Sequence, residues 1–175
     1  MTRKIIMNLA MSLDGYIADD NGGFDWIGGD GHSELDTSAQ FSFHDFLEQV
    51  DTVVMGRKSF EDSTLDMVAQ HKIIVVTSLE REDEENVQFV QGDIVSHVQS
   101  LQQEEGKDIW LFGGSQLTNA FLKAGIVDEF IIGIVPMILG AGIRLFDEND
   151  RMIPLQLEEY SVNEGLPILR YTKRV

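Results

Sequence analysis

Residues 108–122 read "DIWLFGGSQLTNAFL". An apolar run, Ile109-Trp110-Leu111-Phe112, stops at two glycines, and an apolar helical pattern starts at once with Ser115. A strand that passes directly into a helix is the unit from which parallel sheets are assembled. Two bare glycines at that junction let another group approach the backbone closely.

The same grammar recurs on both sides. Residues 4–11 predict a buried strand, followed by a turn at Asp14-Gly15. Residues 19–33 carry Gly22, Gly23, Gly28, Gly29 and Gly31 around Phe24 and Trp26, which predicts a mobile loop long enough to be functional. Ser38 is the expected N-cap of a helix with Phe43, Phe46, Leu47 and Val50 at helical spacing. Strands are expected at 53–55, ending at Gly56, and at 72–77 and 86–91, with a charged loop over 80–85. Asp93 should cap a helix bearing Ile94, Val95, Val98 and Leu101, closed near Gly106. The opening stretch predicts a strand over 108–112 and a helix over 115–123.

Downstream, residues 128–135 predict a strand ending at Pro136, and Phe130 to Val135 are apolar without alternation, as in a strand buried on both faces. Segments 155–162 and 168–174 alternate and meet at Asn163-Glu164-Gly165, a hairpin signal. The fold class is α/β: a mostly parallel central sheet with an antiparallel C-terminal hairpin and flanking helices. With no linker or repeat in 175 residues, one domain over 1–175 is expected.

The formal net charge is −17, which disfavours nucleic acid and anionic membranes as partners. There is no cysteine, hence no disulfide framework and no thiolate metal site. The start lacks a signal-peptide pattern and no run of eighteen apolar residues occurs, so a cytoplasmic protein is expected. His32, His44, His71 and His97 have no metal-ligand spacing, so no metal is expected.

An anionic ligand of such a chain needs a local positive site. Two strand ends offer one: Met55-Gly56-Arg57-Lys58-Ser59 and Phe112-Gly113-Gly114-Ser115-Gln116. A helix starting at a strand's carboxyl end points N–H groups and its positive dipole end outward. Either glycine alone is commonly just a tight connection. The pair, one with Arg57 and Lys58 attached, favours an anion site. Gly113 to Leu117 almost spells a nucleophile elbow, but Leu117 replaces the last glycine and every histidine precedes Ser115. Gly140 to Leu145 is a near miss to a dinucleotide fingerprint with no helix following.

Four stretches together carry a family likeness: "MNLAMSLDGYIAD" (7–19), "DTVVMGRKSFE" (51–61), "DIWLFGGSQLTNAFL" and "VDEFIIGIVPMILGAGIRLF" (127–146). In order and spacing the chain resembles the dihydrofolate reductase superfamily, nearest to the bacterial branch that includes the reductase domain of riboflavin biosynthesis. The resemblance implies a three-layer dihydrofolate reductase-like fold and NADPH as hydride donor. It implies a cis peptide at Gly113-Gly114, with the amides of Gly114, Ser115, Gln116 and Leu117 facing the cofactor pyrophosphate. It gives Gly56, Arg57, Lys58 and Ser59 to the adenosine side and its phosphates. Thr77 and Ser78 fall beside the adenine ribose, Ser78 and Arg81 become candidates for the 2′-phosphate, and Ala10, Ile17 and Ala18 line the nicotinamide. It also implies a possible homodimer.

The resemblance departs at the substrate. The acidic residue that grips a pterin ring counts to Gln40, and no basic cluster for a phosphorylated pyrimidine is evident in the glycine loop or first helix. The expected activity is hydride transfer to a small heterocyclic, pterin- or pyrimidine-like, or carbonyl-type substrate. The alternative is a non-catalytic nucleotide or pterin-like ligand binder on the same fold. Proton-donor candidates are Asp14, which otherwise serves an Asp-Gly turn, and His44 and Asp45, which otherwise form a solvated helix face with Phe41 and Glu48. Trp26 is a candidate for stacking on a flat substrate and otherwise serves as a loop anchor, and Phe41 is a further substrate-binding candidate.

Overall fold

The computed structural model describes residues 2–63 and 65–174. In chain order the elements are β1 (Ile5–Ser12), β2 (Tyr16–Ala18), α1 (Phe43–Gln49), β3 (Val50–Gly56), α2 (Arg57–Asp62), a 3₁₀ turn (Asp66–Val68), β4 (Lys72–Val76) and β5 (Val87–Val90). They continue with α3 (Ile94–Leu101), β6 (Asp108–Gly113), α4 (Ser115–Ala124), β7 (Glu129–Val135), β8 (Ile143–Arg144), β9 (Leu155–Asn163) and β10 (Leu166–Lys173). Among the described residues no helix is long and apolar enough to cross a membrane. The chain divides into two compact units, Met1–Met7 with Phe43–Asp128 and Asn8–Ser42 with Glu129–Val175.

In the first unit the strands run β5-β4-β3-β6-β1, all parallel. Parallel strands joined through helices are covered on both faces, so they read as continuous apolar runs. Ile5, Ile6, Met7, Val53, Val54, Met55, Ile73, Ile74, Val75, Ile109 and Leu111 are accordingly buried without alternation. Phe43 and Phe46 of α1 meet Trp110 edge to face, with centroids 5.7 and 5.2 Å apart. Asp93 caps α3 as expected: its carboxylate accepts the Ser96 N–H (3.1 Å) and hydroxyl (2.6 Å). Those bonds, the hydroxyl's first, hold its carboxyl below the usual range. At the opposite end of the strands Arg3 is buried. Its guanidinium pairs with Asp51, donates to Thr52 Oγ1 at 2.8 Å, and its Nε donates to the Lys107 carbonyl at 2.5 Å.

In the second unit β7 pairs antiparallel with β10, and β10 with β9. The hairpin turns at Glu164 (φ 49°) and Gly165 (φ 76°), both left-handed, as a tight β-hairpin requires. Phe130 to Gly133 and Val135 are buried, and Ile134 is half-buried, matching a strand covered on both faces. A small antiparallel pair, β2 with β8, stands apart from these strands.

Four expectations change. Helix α1 starts at Phe43, so Ser42, not Ser38, precedes it, and Phe41 lies outside the helix. Val50 opens β3 rather than closing a helix. The α3 helix ends at Leu101, well before Gly106. The glycine loop is anchored rather than loose. Asp19 accepts the amides of Asn21 and Gly23 (both 2.8 Å), Gly31 N–H reaches the Glu164 carbonyl (3.2 Å), and Thr37 N–H reaches that of Val162 (3.0 Å). The loop's length is absorbed in holding the hairpin.

Candidate functional site

The parallel strands of the first unit end in step. Gly56 of β3 is the register partner of Val76 in β4, and Met55 that of Gly113 in β6. Three exits from the sheet therefore lie along one edge: Gly56-Arg57, Thr77-Ser78 and Gly114-Ser115. A Cβ added to Gly56 would lie 3.9 Å from the Gly114 nitrogen, and one added to Gly114 would lie 3.5 Å from Ser59 Oγ. The two glycine turns read from the sequence are immediate neighbours.

The Gly113-Gly114 peptide bond is cis, as the resemblance implies. Gly113 has φ +119°, a conformation that side-chain-bearing residues rarely adopt. Gly114 precedes α4, and no side chain caps the helix there. Thr118 is the first residue whose N–H is spent inside the helix, donating to the Gly114 carbonyl at 3.0 Å. The amides before it belong to the helix's first turn, the end that suits an anion. Ser115 and Gln116 keep some exposure, whereas the Leu117 side chain is buried and could offer only its backbone.

Thr118 adds an observation that the sequence does not flag. Its hydroxyl is fully buried, lacks a hydrogen-bond partner, and lies 3.8 Å from where a Cβ on Gly113 would sit. A polar atom in that state is costly unless something completes it. Backbone amides, a bare double-glycine turn, Ser59 and this hydroxyl form a set that fits the phosphates of a dinucleotide.

The basic residues sit beside it. Arg57 Nη1 donates to Glu61 Oε2 at 2.8 Å, and Lys58 is exposed. Arg81 stands over the Phe89 ring at 4.2 Å from its centroid. Thr77 is buried: its N–H donates to the Val90 carbonyl (3.0 Å) and its Oγ1 accepts the Leu79 N–H (3.0 Å), which shapes the turn carrying Ser78 outward.

The other named residues have plainer surroundings. His44 is 79% exposed with Glu48 at 3.5 Å, and Asp45 is exposed on the same short helix. In the second unit, Asp14 accepts the Ser12 hydroxyl at 2.5 Å and the amides of Leu139 (3.0 Å) and Gly140 (2.8 Å). The Ser12 bond foremost, then those two amides, outweigh desolvation and pull its carboxyl from 3.8 down to about 2. A carboxylate so tied holds a loop; it carries no proton to donate near neutrality. Trp26 Nε1 donates to the Gly23 carbonyl at 3.2 Å within its own loop, and Phe41 N–H donates to Ser161 Oγ at 3.2 Å. Ala18 is buried and Ile17 half-buried in β2, while Ala10 lies in β1 against Gly133 of β7. No cluster of three His, Cys, Asp or Glu suited to a metal occurs among the described residues.

The profile of the RibD C-terminal domain matches residues 3–164. The chain belongs to the RibD C-terminal domain family. A Bacillus subtilis relative, the uncharacterized protein YwjB, is 34% identical over 163 residues, covering 90% of this chain and 91% of that one. Among solved structures, a Shewanella sp. PV-4 protein assigned to riboflavin biosynthesis superposes with a TM-score of 0.82 at 27% identity, covering all of both chains. Dihydrofolate reductase from Enterococcus faecalis, complexed with NADP(H), shares the fold at a TM-score of 0.67 and 15% identity, again over all of both chains. The family's fold is thus dihydrofolate reductase-like, with the mostly parallel sheet, terminal antiparallel hairpin and flanking helices expected from the sequence. Family and fold together suggest a reductase that uses a nicotinamide cofactor.

Proposed function

We propose that the chain is an NADPH-dependent reductase that transfers hydride to a small heterocyclic, pterin- or pyrimidine-like, or carbonyl-type substrate. The observation that carries this reading is the adjacency of the Gly56 and Gly113-Gly114 turns at the ends of neighbouring parallel strands. A dinucleotide is long and anchored by phosphates, and two adjacent backbone-lined turns with a basic residue on one are suited to grip it. In the proposal, the amides of Gly114 to Leu117 and the Thr118 hydroxyl meet the pyrophosphate. Gly56, Arg57, Lys58 and Ser59 meet the adenosine side, with Thr77, Ser78 and Arg81 at its ribose. The bound cofactor would supply the hydride; the chain supplies grip and orientation.

Titration with NADPH, followed by cofactor fluorescence at low salt, tests the reading. Saturable binding in the micromolar range is expected, and its absence at high micromolar cofactor removes the proposal.

One observation favours the non-catalytic alternative: Asp14 is committed to hydrogen bonds, and His44 and Asp45 face water. A panel of pterins, pyrimidines and carbonyl compounds separates the two readings, because substrate-dependent loss of NADPH absorbance eliminates the binder.

The proposal includes a homodimer. Leu157 and Tyr160 of β9, 49% and 63% exposed, stand opposite Tyr171 and Leu169 of β10, with the Glu159–Arg170 pair between them. Exposed apolar side chains on a terminal hairpin are a surface on which two copies can meet. Light scattering at the monomer mass would remove this part.

A further inference from the structure

Two basic residues of the proposed cofactor site, Arg57 and Arg81, are not open cations. Glu61, one helical turn beyond Arg57, takes Arg57 Nη1 on its Oε2 at 2.8 Å. Its other oxygen, Oε1, lies 3.9 Å from Arg81 Nη1. Arg81 Nη2 also reaches Glu84 Oε1 at 3.5 Å. The Arg81 guanidinium is anchored from another side, 4.2 Å from the Phe89 centroid and 5.8 Å from that of Phe60, and those rings meet edge to face at 5.7 Å. Stacking of this kind orients a guanidinium and leaves its N–H edge for an anion. One carboxylate therefore bridges two guanidiniums that come from different turns of the sheet edge.

We propose that Glu61 is a specificity-determining residue: its carboxylate competes with a nucleotide 2′-phosphate for Arg57 and Arg81, and so sets how far the chain prefers NADPH over NADH. This rests on the reductase reading above. The charge balance supports it. A 2′-phosphate brings close to two negative charges beside these arginines. Glu61 adds a third within the same pair, and loop 80–85 contributes Glu80, Glu82, Asp83, Glu84 and Glu85 nearby in sequence. NADH has no 2′-phosphate, and its pyrophosphate is assigned to the Gly113-Gly114 turn, so Glu61 discriminates between the two cofactors. At the water-like dielectric of a half-exposed pair, removing one such charge changes phosphate affinity by roughly three- to ten-fold at low salt.

Glu61→Gln keeps the side chain's shape and one acceptor oxygen while removing the charge. The full chain is titrated with NADPH and NADH by cofactor fluorescence, and with 2′,5′-ADP and 5′-AMP by calorimetry. E61Q is expected to tighten NADPH and 2′,5′-ADP by roughly three- to ten-fold and to move NADH and 5′-AMP by less than about two-fold. The control is Asp62→Asn, which removes the same charge from the next residue; Asp62 pairs with neither arginine among the described residues. It is expected to change NADPH affinity by less than about two-fold. Weaker or unchanged NADPH binding in E61Q overturns the proposal, as does an equal gain in D62N. If wild type and variants bind neither dinucleotide, the reductase reading falls and takes this inference with it. If both dinucleotides bind and E61Q has no selective effect, only the role of Glu61 falls.

Discussion

Met55 and Gly113 are register partners in adjacent parallel strands, so the chain leaves the sheet at Gly56 and Gly114 side by side. Arg57, the next residue after Gly56, thereby stands beside a turn lined by bare backbone and by the hydroxyls of Ser59 and Thr118. Arg57→Ala should weaken NADPH about ten-fold at low salt, and by less as salt rises, because the lost contact is half-exposed. The fold should be untouched: an exposed i,i+4 pair such as Arg57–Glu61 contributes well under about 1 kcal/mol. Fluorescence titration beside a thermal melt checks both parts; unchanged affinity would remove Arg57 from the site.

Gly113→Ala tests the turn itself. With φ at +119°, an L side chain is strained whatever room it finds, at a cost of roughly 1–3 kcal/mol. The variant should lose stability by about that amount in chemical denaturation and bind cofactor at least ten-fold more weakly. Gly114→Ala makes a useful contrast. Its backbone has φ −74°, and a Cβ there would meet Ser59 Oγ at an ordinary 3.5 Å. It should keep nearly full stability while occupying space where the proposed phosphate sits. Equal stability loss in both variants would contradict this account.

Much of this edge was legible in the sequence because it depends on local chemistry. Apolar runs ending in glycine announced β3 and β6, and Asp93 and Asn163-Glu164-Gly165 announced a cap and a hairpin that the structure contains. What stayed hidden depends on distant partners. Ser38 looked as good a cap as Ser42, because only the attachment of Asp36 and Thr37 to Glu164 and Val162 shows that this segment belongs to the hairpin. The start of β3 was masked by polar Asp51 and Thr52, whose purpose is the buried Arg3. β2 and β8, three and two residues long, are too short to show a period. In the site, Glu61 was readable as an i+4 partner of Arg57, but its reach to Arg81 was not. Thr118 could be found only once packing showed its hydroxyl without a partner.

Asp14 predicts a pH signature. Its carboxyl titrates near 2 in the folded chain against 3.8 otherwise, chiefly through the Ser12 hydroxyl bond. A depressed carboxyl stabilises the fold fully above its unfolded value, and that contribution is lost as pH falls through the folded one. The stability difference between wild type and Asp14→Asn should therefore be constant from pH 7 to about 4 and shrink between about 4 and 2. Melts across that range check it. A difference that grows on acidification would show that Asp14 does not hold the Leu139 and Gly140 amides as an anion.

Arg3 predicts where the first unit is most vulnerable. Its guanidinium is buried, and in one move it pairs with Asp51, donates to Thr52 and, through Nε, to the Lys107 carbonyl. Arg3→Ala would leave a buried Thr52 hydroxyl and the Lys107 carbonyl each short of a partner, and would strip Asp51 of its cation. Removing one member of a fully buried pair costs about 3–5 kcal/mol, but Asp51 keeps some access to water, so roughly 2–3 kcal/mol is expected. Arg3→Lys restores charge without the planar fork and should recover only part of the loss, since one ammonium cannot match three acceptors in fixed directions. Urea denaturation of the three proteins measures this. Because Arg3 lies at the amino ends of the strands, away from Gly56 and Gly114 at the carboxyl ends, NADPH affinity of the folded R3K protein should stay within about two-fold of wild type. A large affinity loss there, with stability intact, would mean that the two ends of these strands are coupled.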